Sequence, residues 1–229
     1  MKAQRLRITF TRGEELKYIT HLDLMRFWER ALRRAEIPVA YSEGFSPHAQ
    51  ISLAAPLPVG TTSEGELMDV FLERPLPPAT VIRAVGSQLA PAIEIRSVEE
   101  VGLALPSLQA DVRFAEYDVD VAAAPAAARA AVERFLAAES IPWEHQRESE
   151  TRSYDIRTFV ETITVAERPP DGARLSMRLR NDNGGSGRAD QVVAALGLGT
   201  PLRIHRTRLL LAGTSPARQA WRTRGRFAT

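Results

Sequence analysis

The chain reads as an α+β protein: two tandem ferredoxin-like (βαββαβ) subdomains packed as one unit. Three observations lead there. Residues 1–101 place strand-like alternation and helix-like periodicity in the order β-α-β-β-α-β. From residue 102 the same order begins again without evident residue identity, so the repeat is one of architecture. Apolar residues make up 44% of the 229, enough to bury a real core. The boundaries that follow are 1–101, 102–213, and a basic tail over 214–229 that is expected to lack order.

Each element of the first unit has its own signal. Residues 5–11 (RLRITFT) alternate apolar and polar, as a half-buried strand does. Residues 12–15 (RGEE) form a turn. Thr20 then opens a helix, with Asp23 three residues on in the capping-box position. His21, Met25, Trp28 and Leu32 share one stripe of that helix, while Asp23, Arg26, Arg30, Arg33 and Arg34 lie towards the opposite side. The helix ends before Pro38. Residues 50–54 look like a strand, 56–60 (PLPVG) like a turn, and 65–73 (GELMDVFLE) like a strong strand. Pro75, Pro77 and Pro78 lead into a helix over 79–89, and 93–98 is a further strand.

The second unit follows a linker over 102–110. Residues 112–121 alternate as a strand, and Pro125 opens an Ala-rich helix that buries Val132, Phe135 and Leu136. Strands are expected at 142–146, within 154–165 and at 173–180. A Gly-rich loop (NDNGGSG, 181–187) precedes a short helix over 189–196, and 202–211 is the last strand.

Composition removes several function classes. The absence of cysteine excludes disulfides, thiolate metal sites and Cys nucleophiles. The N-terminus lacks the apolar core of a signal peptide, and no run approaches the roughly 18 apolar residues of a membrane span. A cytoplasmic protein without a membrane partner is the expectation. The formal net charge is only +2. Its distribution is more telling: residues 200–229 hold seven Arg and no Asp or Glu. Arg suits bidentate contact with phosphate or carboxylate.

The least generic stretch is residues 41–60 (YSEGFSPHAQISLAAPLPVG). It crowds Tyr41, Ser42, Glu43, Gly44, Phe45, Ser46 and His48 into one loop, where function tends to sit. With Lys17, Tyr18, His21, Asp23 and Arg26 at the start of the preceding helix, it is expected to line a ligand pocket. His21, His48 and Glu43 are the catalytic candidates, able to act as base and acid. His21 also has a plain reading as a packed or capping residue in line with Met25 and Trp28. The spacing of these groups favours no metal, and no cofactor is expected. A second set of candidates would meet phosphate or RNA. It comprises Arg180, Gly185 and Arg188 around the Gly-rich loop ahead of a helix, and Arg157, Arg203 and Arg206 on the strands of the second unit. The Gly-rich loop lacks the Lys-Ser/Thr of a P-loop.

Residues 18–35 (YITHLDLMRFWERALRRA) together with 41–60 resemble the radical SAM-linked family of unknown function. The likeness extends through 64–69 (EGELMD) and more weakly to 154–157 (YDIR) and 204–207 (IHRT). Ala49-Gln50 departs from the family pattern. In that family the domain stands alone or follows a B12-binding radical SAM module, among RNA-processing and ribosomal genes. The resemblance therefore implies RNA and a radical SAM protein as partners. The chain has no CxxxCxxC cluster motif, so it is not itself a radical enzyme. The expected function is an accessory RNA-binding or substrate-binding module of an RNA-modification or RNA-processing system. The alternatives are a metal-independent RNA-processing enzyme using His21 and His48, and a protein-interaction partner of a radical SAM enzyme.

Overall fold

Alternation in the first strand decides where the N-terminal core lies. The computed structural model describes residues 2–147, 150–168 and 170–212; the tail expected at 214–229 lies outside them. In β1 (Gln4–Arg12) the side chains of Leu6, Ile8 and Phe10 are buried against the first helix. That helix, α1 (His21–Arg34), starts where Thr20 accepts the Asp23 backbone N–H at 3.2 Å. The Trp28 ring meets Phe10 edge-on, with centroids 4.9 Å apart. α1 closes with Glu36 N–H bonding Arg33 O and Ile37 N–H bonding Leu32 O, the paired bonds of a Schellman motif.

The chain continues through β2 (Ile51–Leu53), β3 (Thr61–Leu72), α2 (Pro78–Gly86) and β4 (Ile95–Val101). Their strands lie in the order β4-β1-β3-β2, each neighbour antiparallel. The remaining elements are α3 (Leu108–Asp111), β5 (Val112–Val121), α4 (Pro125–Ala137), β6 (Pro142–Arg147) and β7 (Glu150–Asp155). They are followed by β8 (Val160–Arg168), β9 (Gly172–Asp182), β10 (Gly185–Ser186), α5 (Ala189–Ala195) and β11 (Arg203–Leu211). Here the order is β11-β5-β9-β8, again antiparallel throughout. β6 and β7 form a two-stranded sheet of their own.

One strand joins the two sets. β11 lies parallel to the start of β3, with Ile204 opposite Thr61 and Arg206 opposite Ser63. The result is a single nine-stranded mixed sheet. β3 thus pairs with β11 at its beginning and with β2 near its end. Gly65 permits the crossing: a Cβ there would stand 2.5 Å from Thr207 O. Two apolar clusters fill the molecule. One packs α1 and α2 on Leu6, Ile8, Phe10, Met68 and Val70. The other packs α4 and α5 on Ala115, Tyr117, Val119, Leu175 and Met177.

Some boundaries differ from the sequence expectation. β3 begins at Thr61, not residue 65, because its polar start is satisfied by β11: Ser63 Oγ donates to Arg206 O at 3.0 Å. The linker contains α3, and residues 154–165 divide into the end of β7, a 3-10 turn (Ile156–Phe159) and the start of β8. Among the described residues no helix is long and apolar enough to cross a membrane.

Candidate nucleic-acid interface

A cation can reach a ligand only if the protein has not already neutralised it, so the arginines divide by partner. Most of those on the sheet are taken. Arg5 and Arg7 grip the buried Asp69 at 2.6 and 2.8 Å. Arg174 meets Asp120 and Arg178 meets Glu116, each at 2.7 Å, and Arg208 also bonds Glu116. Glu116 and Asp120 share one face of β5, between the arginines of β9 and of β11. Burial alone would raise the Glu116 carboxyl; the hydrogen bonds from Arg208 and Arg178 outweigh it and hold the group below the usual range. Asp120 is lowered the same way, by Arg174 and Arg168 against its burial. This sheet face is polar but internally neutralised.

α1 is different. Its outer side carries Arg26, Arg30, Arg33 and Arg34, at spacings i, i+4, i+7 and i+8, all exposed. Those spacings align side chains in one stripe. Arg26 has a loose ion pair with Asp23 at 3.8 Å, with both side chains more than half exposed. The other three make no ion pair among the described residues. The sequence placed all four on the polar side of this helix but marked only Arg26 as a binding candidate. The i, i+4, i+7, i+8 pattern was the available signal for the rest.

Aromatic rings flank the stripe. Before the helix, Tyr18 is 70% exposed, and the Lys17 ammonium stands 5.2 Å from its ring centroid. Lys17 also bonds Glu14 at 2.7 Å. That hydrogen bond is the main reason the Glu14 carboxyl sits low, with Arg203 and His205 adding to it. The Gly60 N–H bonds Lys17 O at 2.7 Å and ties this turn to the start of β3. At the other end, Tyr41 is 51% exposed and borders a cleft of about 250 Å³ with Glu29, Leu32, Arg33, Glu36 and Ala49.

The loop after Tyr41 closes on itself. Tyr41 bridges Ala49, and Ser42 Oγ lies 2.8 Å from His48 Nδ1 and accepts the His48 backbone N–H at 3.0 Å. Glu43, Gly44, Phe45 and Ser46 are exposed, and Gly44 adopts φ +119°. The Ala40 N–H bond to Phe71 O anchors the loop near the end of β3. The expected pocket between this loop and the helix start is therefore not formed. The 14 residues of α1, about 20 Å of helix, lie between them, and the loop borders the helix C-terminus.

His21 faces elsewhere. Burial lowers its pKa first, with the Glu66 carboxylate opposing and Arg12 assisting. Among the described residues no bond or ion pair joins His21 to His48 or Glu43, and no observation favours their acting as base and acid. His205 is likewise lowered, by burial first and then by Arg203; its Nδ1 is 2.7 Å from Thr62 Oγ1.

The second candidate set needs corrections. Arg206 is not available to phosphate. It is fully buried, its Nε donates to Glu66 at 2.8 Å, and it also donates to the carbonyls of Ala55 and Pro56. The Gly-rich stretch does run into α5, but Gly185 is taken up in the β9–β10 hairpin, where it pairs with Asp182. The Gly184 N–H there is already bonded to Asp182 at 2.7 Å. Arg180 and Arg188 are held by the nearby Asp182 and Asp190. Arg157 donates to Val160 O at 2.9 Å, and its Nε is buried without a partner. Arg203 alone of this set is half-exposed on a strand and makes no ion pair among the described residues. Sequence reasoning missed the buried Arg12 and Glu66, which read there as turn and strand-face residues.

Fold and surface define an α+β protein with a large mixed sheet and a basic helix whose arginines are mostly without ion pairs among the described residues. The chain belongs to the family described as "Uncharacterized protein conserved in bacteria (DUF2344)", whose model matches residues 5–189. No curated protein matches it in sequence. Among solved structures it is similar to a chain of a Cbf5-Nop10-Gar1 complex, at 12% identity and TM-score 0.49 over 89% of this chain. It is also similar to a chain of an H/ACA RNP bound to a substrate RNA containing 2'-deoxyuridine, at 14% identity and TM-score 0.44, likewise over 89% of this chain. The chain spans about half the length of those two, 48% and 47%. A protein of unknown role from Galdieria sulphuraria matches at 16% identity and TM-score 0.26, over 85% of this chain and 89% of its own. These likenesses are too slight to carry over what those assemblies do.

Proposed function

We propose that the chain is an accessory RNA-binding module of an RNA-modification or RNA-processing system, with α1 as its phosphate contact. One observation carries the reading. Arg26, Arg30, Arg33 and Arg34 form an exposed stripe with a single loose ion pair, while most of the sheet arginines are bound to carboxylates. Unpaired guanidinium groups in a row are suited to successive phosphates. The two strand orders, β4-β1-β3-β2 and β11-β5-β9-β8, support reading the fold as two ferredoxin-like units over 1–101 and 102–213. A radical SAM protein is the partner such a module would serve, and co-purification tests that link separately.

Salt dependence tests the RNA reading. Each neutralised phosphate contributes roughly 0.7–0.9 to the slope of log K against log salt, so four contacts give a slope of about −3. Affinity for a fluorescein-labelled 20-nucleotide RNA should then fall roughly fifty-fold between 50 and 200 mM salt. In the Arg30→Gln/Arg33→Gln/Arg34→Gln variant the slope should drop to about −1. Equal affinity at both salt concentrations, or an unaltered slope in the variant, would refute the assignment.

A further inference from the structure

We infer that the RNA taken by this surface is single-stranded, with bases stacked on Tyr18 and Tyr41 at the two ends of the α1 arginine stripe. The inference rests on the RNA-binding reading above and adds the class of RNA. Duplex RNA presents phosphates and sugar hydroxyls and keeps its base faces hidden; only an unpaired strand offers them for stacking. The stripe is bounded by rings that are of no use to a duplex. Tyr18 is 70% exposed with Lys17 beside its ring, and Leu22, on the same helix face as Arg26, is 65% exposed. Large apolar side chains exposed together at a basic surface call for an apolar partner face.

The far end has its own chemistry. Tyr41 borders the 250 Å³ cleft together with Arg33, and Glu29 and Glu36 line the same cleft. Two carboxylates disfavour a phosphate there, and they can accept from the exocyclic amino groups of cytosine or adenine. Phosphates are therefore assigned to the arginines along the ridge, and bases to the two tyrosines. The span fits: α1 is about 20 Å long, and about six stacked nucleotides at roughly 3.4 Å each cover it. Basic tracks interleaved with aromatic rings are the general means of holding single strands without sequence preference.

The test is fluorescence anisotropy on the full chain, with a labelled 12-nucleotide RNA of mixed sequence and the duplex of the same sequence. The single strand should bind at least about tenfold more tightly. Tyr18→Ala and Tyr41→Ala should each weaken it roughly five- to tenfold while leaving duplex affinity unchanged. Tyr18→Phe and Tyr41→Phe should retain binding, because the ring and not the hydroxyl does the stacking. Equal or tighter binding of the duplex overturns the inference, as does a single-strand affinity indifferent to both alanine variants. If neither RNA binds at 50 mM salt, the RNA reading itself fails, a result distinct from either of those. Both tyrosines are exposed, and circular dichroism of the variants separates lost folding from lost stacking.

Discussion

Arg206 shows how a single residue can mislead and then explain. On the strand it alternates with Arg203, His205 and Arg208, and charged residues are usually found at the surface. In the fold it has no exposed surface and forms an ion pair with Glu66. Burial alone would weaken its hold on the proton, but the adjacent Glu66 carboxylate reverses that and keeps the guanidinium charged. Removing one partner leaves the buried Glu66 carboxylate without its hydrogen-bonded cation, so Arg206→Leu should cost about 3–5 kcal/mol in urea denaturation. The double variant Arg206→Leu/Glu66→Leu should cost distinctly less than the single one. The site was illegible in the sequence because its partner lies 140 residues away and meets it only through parallel pairing of β11 with β3. His21 and His205 add a pH dependence. Both have lowered folded-state pKa values, burial being the first cause. Their stabilising effect is complete above the unfolded value of about 6.5 and is lost as pH falls through the lower folded value. The melting temperature should therefore drop between pH 7 and pH 5, and His21→Asn/His205→Gln should flatten that slope.

At the scale of elements, periodicity and caps were legible and loop geometry was not. α1 could be read from its apolar stripe and from Thr20, and its cap bond forms as expected. Thr20→Ala should therefore lower stability by about 1 kcal/mol. The other end hides a feature no pattern announced. Glu36 occupies the left-handed region at φ 53°, where glycine is the usual choice. Glu36→Gly should stabilise the protein by roughly 1 kcal/mol in chemical denaturation. Because Glu36 also lines the Tyr41 cleft, the present residue is consistent with strain kept for binding. The Gly-rich stretch 181–187 carries the composition of a phosphate loop and the geometry of a hairpin. Composition could not separate them, because the deciding contact is distant in sequence: a Cβ on Gly185 would stand 2.5 Å from the Phe159 ring. Gly185→Ala, with φ 147° to accommodate as well, should cost about 1–3 kcal/mol and leave RNA affinity unchanged.

For the whole molecule, the order of elements was readable but the joint between its halves was not. Residues 61–64 (TTSE) fall outside the strand read at 65–73 because nothing in them alternates. They become strand because Thr62 and Ser63 find partners in His205 and in the Arg206 carbonyl. A second tie runs from Arg5 to the carbonyls of Leu105 and Pro106, at 2.8 Å each. The buried Glu66 belongs to the first half and its guanidinium partner to the second, so this buried ion pair crosses between them. Two cores that share a buried ion pair should unfold together, although a chain of this size could unfold in stages. Hydrogen exchange across a urea series checks this. Amides of Leu6 and Ile8 in the first half and of Val119 and Leu175 in the second should lose protection at one common midpoint. Arg206→Leu removes the shared pair and leaves each apolar cluster intact, so it should separate the two midpoints. The first half should open earlier, since Glu66 is then left buried beside Arg12 alone. Separate midpoints in the unaltered protein would show instead that the sheet is continuous in geometry while its halves are independent in energy.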